Sequence, residues 1–281
     1  MNEETIEFLK EQIANFEQQW ADYKLEGVRN NPVECISYNI NLALEVFSDS
    51  LSAQLPEKDA LKHLRLLKDL GVANFVSSMN DGKTISLPFG DARLEIVGEA
   101  TTAYMNTDTW LKAYYAAIVI RDRNAIDILC KVPEEIFLGA NIKPDEFDLA
   151  FVRASKGLFD PAVNIGQLLV DAMEASAEEK ISEPRLGYAW SLILPVLMLY
   201  RFAVDGDKDG EFNEKFEYAL EQHRGYWQTE EKKHKSVGWK SLPLMAAAVL
   251  VFDNKGLKMP NDNELVPRWV VEHFPGVGAT N

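Results

Sequence analysis

Ile6, Leu9, Ile13, Phe16, Trp20 and Tyr23 recur at alternating three- and four-residue steps, the spacing that lines one face of an amphipathic α-helix. A second helix is predicted from Asn31-Pro32, a cap residue followed by a proline at the first helical position. Its stripe is Ile36, Ile40, Leu44, Phe47 and Leu51. Pro56 reopens the pattern, and Leu64, Leu67, Val72 and Phe75 carry a third helix. The period then drops to two. Segments 84–89 and 92–97 flank Gly90-Asp91, and a glycine first in a two-residue loop suits a type II′ hairpin turn. Pairing Phe89 with Ala92 sets Leu87 opposite Leu94 and Ile85 opposite Ile96 on one face. Pro88 then falls at a non-hydrogen-bonded position, where its missing N–H costs little.

Helical spacing resumes after Asn106 through Trp110, Tyr114 and Ile118, and Asp122 is placed to cap a short helix carrying Ile126 and Leu129. Pro133, Pro144 and Pro161 read as first-turn prolines, with Asp160 as the cap before the third. Pro184 opens an apolar helix over 186–204, expected to kink at Pro195. An amphipathic helix is predicted over 212–234, an apolar one over 242–252, and a short one over 267–273. The tail 276–278 is expected to fray. The fold class is therefore mainly α: a multi-helix bundle or an array of helical pairs, with one small β-hairpin at 84–97. A single helical domain over 1–281 is expected, with lobes 1–100 and 101–281 as the finer division.

Charge changes the picture of partners. Against 29 basic residues stand 44 acidic ones, a formal net charge of −15. A surface this acidic repels nucleic acid and anionic lipid heads and favours a basic partner. Cys35 and Cys130 are the two cysteines. Each sits in an apolar-periodic stretch, as buried free thiols do, and they form no zinc spacing. The N-terminus, Met1-Asn2-Glu3-Glu4, lacks the basic-then-apolar layout of a signal peptide. The longest uncharged apolar run, 186–200, is shorter than the ~20 residues of a membrane span. The expected address is the cytoplasm, with neither a membrane nor a nucleic acid as partner.

Candidate chemistry is sparse. No HExxH, P-loop, GxSxG or GxGxxG occurs, so no catalytic residue and no cofactor is assigned. Glu231 and His234 form a single Glu-x-x-His, and a di-iron bundle needs two. The sharpest motif is Asp205-Gly206-Asp207-Lys208-Asp209-Gly210, which matches the first half of an EF-hand loop. Position twelve of that loop should be a bidentate glutamate and is Phe216 here. Asp205, Asp207 and Asp209 thus stand as a calcium-loop candidate beside the plainer reading, an Asp/Gly-rich connection between helices. Trp110, Trp190 and Trp269 fall on apolar faces and read as core. Trp227 and Trp239 flank the charged run 229–235 and are candidates for an exposed aromatic contact with a partner.

Two segments resemble a known family. One is 114–133, ending Arg121-Asp122-Arg123-Asn124-Ala125-Ile126-Asp127-Ile128-Leu129-Cys130 and then Val132-Pro133. The other is Gly238-Trp239-Lys240-Ser241-Leu242-Pro243-Leu244, continuing Met245-Ala246-Ala247-Ala248 to Phe252-Asp253. Together they resemble the immunity protein 49 family of bacterial polymorphic-toxin systems. The resemblance implies a helical protein, not an enzyme, that binds and neutralises a cognate toxin. It assigns no toxin-contacting residue. A helical scaffold or adaptor, or an enzyme whose pocket is built from scattered residues, are the alternatives.

Overall fold

The computed structural model describes residues 2–274, so the 276–278 tail lies outside the described residues. The chain forms two compact units, 1–143 and 144–281.

The first unit begins with α1 (Glu3–Gln19), which runs through a π-helical turn, Trp20–Lys24, into α2 (Leu25–Asn30). The apolar stripe holds for Leu9, Ile13 and Phe16, which are buried. Beyond them the wider π turn rotates the face, and Tyr23 is exposed. Next come α3 (Pro32–Ser52) and α4 (Glu57–Ser78). Pro32 opens α3 as expected, but the Asn31 side chain donates to Glu34 Oε2 at 2.8 Å instead of accepting a backbone N–H. Strands β1 (Thr84–Phe89) and β2 (Ala92–Val97) pair in the predicted register, Phe89 with Ala92, Leu87 with Leu94 and Ile85 with Ile96. Gly90 has φ +66° with no positive φ at Asp91, as a type II′ turn requires. Phe89, Leu94 and Ile96 turn inward onto α4 and α2. Helices α5 (Thr107–Val119), α6 (Arg123–Cys130) and α7 (Glu134–Gly139) complete the unit. Asn106 and Asp122 cap α5 and α6 through Thr109 N and Ala125 N. Both α5 and α6 pack on α4, which brings them into the first unit. Cys35 and Cys130 are half-buried and are not joined in a disulfide.

Trp110 and Tyr114 stack at 4.6 Å in this core, and Phe137 meets Trp110 edge-on. The buried Trp110 indole donates to the Leu129 carbonyl at 3.0 Å, tying α5 to the end of α6.

The second unit runs α8 (Glu146–Gly157), α9 (Ile165–Ala175), α10 (Glu183–Tyr188), α11 (Leu194–Asp205), α12 (Phe212–Trp227), α13 (Leu242–Lys255) and α14 (Arg268–Glu272). Three of the prolines act before the helices and not within them. Pro133 is the cap residue of α7, and Pro144 precedes the Asp145 cap of α8. Pro161 lies in a turn, where Asp160 accepts from Ala162 N, while Asn164 caps α9 through Gln167 N. Helices α10 and α11 are joined by a π-helical turn, Ala189–Ile193, just ahead of Pro195. Proline has no N–H to give to the preceding turn, and a π turn is one way the ladder absorbs that loss. The helix predicted over 212–234 stops at Trp227. The charged run beyond it turns back to a short 3₁₀ helix, Ser236–Gly238.

Buried Val196, Leu199 and Tyr200 of α11 and Ala246–Ala248 of α13 form the middle of this unit. Helices α9 and α12 also pack on α11. The stretches Glu183–Asp205 and Ser236–Lys255 are long and apolar enough to cross a membrane by length and composition. Here 56% and 61% of their apolar windows are buried within the protein, as expected of core helices.

Candidate functional site

The acidic loop between α11 and α12 serves the backbone. Asp207 Oδ1 accepts from Glu211 N at 2.8 Å and from Phe212 N at 3.1 Å, capping the start of α12. Gly206 and Gly210 take φ +75° and +74°, conformations that favour glycine. Asp205 and Asp209 are exposed, and Phe216 is buried among the core aromatics. Among the described residues, no group of three or more His, Cys, Asp or Glu side chains is placed to share a metal ion.

Trp227 and Trp239 sit at the two ends of the turn that follows α12, and both are half-buried. The Trp227 ring lies against Gly238, so close that a Cβ there would fall 2.5 Å from it. The Trp239 indole donates to the Lys233 carbonyl at 3.0 Å. His223, one turn before Trp227, places Nε2 3.0 Å from the Gly238 carbonyl, and burial lowers its pKa to about 4. These contacts shape the turn. The expectation for Trp190 is overturned. It lies on the π turn and is 38% exposed, with its indole donating to the Ser176 carbonyl at 3.0 Å.

One constellation is invisible in the sequence. His63 is buried on α4, with Nδ1 2.9 Å from Ser50 Oγ on α3 and Nε2 2.9 Å from Glu17 Oε1 on α1. Burial pushes the imidazole pKa down, outweighing the pull of the Glu17 carboxylate. A neutral ring with its proton on Nε2 donates to Glu17, while its Nδ1 shares the single Ser50 hydroxyl proton with the Val46 carbonyl. Serine, histidine and carboxylate follow one another as in nucleophile relays, but with the ring nitrogens exchanged, Nδ1 facing the serine and Nε2 the carboxylate. The resemblance ends at access. Ser50 is fully buried and its Oγ lies 2.6 Å from the Val46 carbonyl, while Lys62 pairs with the same Glu17 oxygen at 3.0 Å. The relay fastens three helices together.

The second unit also presents an apolar groove of about 430 Å³ between α9 and α11. Its floor is Leu169, Val170, Met173, Leu197 and Met198. Val170 is 49% exposed and Met173 44%. The opposite side of α9 is anchored. Gly157 on α8 leaves room for Leu168, whose Cδ1 would lie 2.6 Å from a Cβ at that position. At the rim, Arg201 pairs with Glu211 and Lys215 with Glu214. Glu174 and Asp205, also at the rim, have no ion-pair partner among the described residues.

The model of immunity protein 49 matches residues 43–270, most of both units. The chain belongs to the immunity protein 49 family. No curated protein and no solved structure matches it. The segments that carry the family resemblance, 114–133 and 238–253, contribute Tyr114, Ile118, Leu129 and the α13 interior, all buried. They build core in both units.

Proposed function

We propose that this protein neutralises a cognate bacterial toxin by stoichiometric protein–protein association in the cytoplasm, without turning over a substrate. The observation that carries this reading is family membership over 43–270. The net charge of −15 supports a basic toxin as partner, because opposite charge accelerates encounter and fixes orientation. Tight neutralisation calls for an interface near ~1,600 Å² with a few buried anchors. The Ser50–His63–Glu17 relay lends no support to an enzyme, since its hydroxyl is sealed from solvent.

The test is a pull-down from the source cells with the full chain as bait, followed by mass spectrometry and co-expression of whatever domain is recovered. A stoichiometric complex, and growth restored to cells making that domain, is the expected result. Cells killed equally with and without this protein would overturn the reading.

A further inference from the structure

We propose that the α9–α11 groove is the docking site for a basic amphipathic segment of the toxin. This rests on the neutralisation reading and adds to it a place and a chemistry. Val170 and Met173 leave apolar surface in water at the groove, while Leu168, on another face of α9, is lodged against Gly157 of α8. An amphipathic helix laid into such a groove buries its apolar side chains at helical spacing. Met173 and Met198 provide flexible side chains that adapt to an incoming shape.

The rim sets the sign of the occupant. Arg201 and Lys215 are already neutralised by Glu211 and Glu214. Glu174 and Asp205 are left as carboxylates without an ion pair among the described residues. The neighbouring loop 205–210 adds two more aspartates against one lysine. An apolar floor with spare negative charge at its edge complements apolar residues flanked by Lys or Arg. It disfavours an acidic segment by like-charge repulsion.

The experiment uses a fluorescent helical peptide of about four turns, with Leu on one face and Lys on the other, and a second peptide in which Glu replaces every Lys. Anisotropy is read with the full chain, with the Val170→Lys/Met173→Lys variant, and with a Phe8→Lys/Val97→Lys variant of equal charge outside the groove. Because all four substituted positions are exposed, folding should be retained. A Glu174→Lys/Asp205→Lys variant provides an independent test at the rim. The Lys peptide should bind, the groove and rim variants should each weaken it by at least about tenfold, and the Phe8/Val97 variant by less than about twofold. Equal weakening by groove and control variants, equal binding of the Glu peptide, or no binding of the Lys peptide would overturn the proposal. The two readings fail separately. Toxin capture that survives the groove substitutions removes the groove alone, whereas peptide binding at the groove by a chain that rescues no cell removes neutralisation.

Discussion

Gly71 on α4 and Ala113 on α5 approach so closely that a Cβ at position 71 would fall 2.3 Å from the Ala113 Cβ. A separation that real Cβ atoms do not reach means the two helices meet backbone to side chain. The pair sets the spacing of the first unit's core, because Trp110 and Tyr114 project from the same α5. Gly71→Ala is expected to cost about 1–3 kcal/mol by forcing the helices apart, despite alanine's better helix propensity. Thermal unfolding followed by circular dichroism checks this. An unchanged or raised Tm would mean that α5 shifts at little cost.

Burial of His223 makes stability depend on pH with a definite sign. Its folded pKa of about 4 lies below the ordinary histidine value. As pH falls from the ordinary value toward 4, the unfolded chain takes up a proton that the folded chain refuses. Stability is therefore lost across that window, by about 3 kcal/mol at full effect. His63, also lowered by burial, acts in the same direction. His223→Gln, which can keep a donor toward the Gly238 carbonyl, should flatten the slope of unfolding free energy against pH. A slope identical to that of the parent would remove His223 as its source.

Asp207 is predicted to matter as a cap. Asp207→Ala should destabilise by about 1 kcal/mol, with Asp207→Asn close to neutral. Millimolar calcium should leave the Tm of the parent unchanged, since Phe216 occupies the position of the bidentate ligand. A calcium-dependent rise in Tm lost in both variants would assign the loop to metal binding.

The Ser50–His63–Glu17 relay is predicted to act on stability alone. Ser50→Ala removes the hydroxyl that sits between a buried imidazole nitrogen and the Val46 carbonyl and should cost about 1–3 kcal/mol. Neutralisation of the toxin captured in the pull-down should persist at temperatures where the variant is folded. Loss of neutralisation by a fully folded Ser50→Ala protein would count against a purely structural relay.

Where a local rule decided the structure, the sequence was readable. The hairpin register followed from period-two alternation around Gly90-Asp91, and the Asn106 and Asp122 caps from their place before apolar stripes. Family and fold class were legible from buried segments, because 114–133 and 238–253 are core. What escaped was set at a distance. His63 meets a carboxylate 46 residues away, and no spacing rule encodes that. The two π turns rotated Tyr23 and Trp190 outward from stripes that a regular helix would have buried. The early end of α12 reflects Trp227 packing on Gly238, a contact made only after the chain returns. The groove was hidden for the opposite reason, since Leu169, Val170 and Met173 look like ordinary core positions until α9 is seen with one face uncovered.

The open face of α9 also bears on how the protein waits. An apolar strip in water invites two copies to stick face to face. Any two copies bringing their strips together must also bring together two bodies of net charge −15, with spare carboxylates at both rims. The same acidity that would draw in a basic partner would thus act as a colloidal spacer between identical molecules.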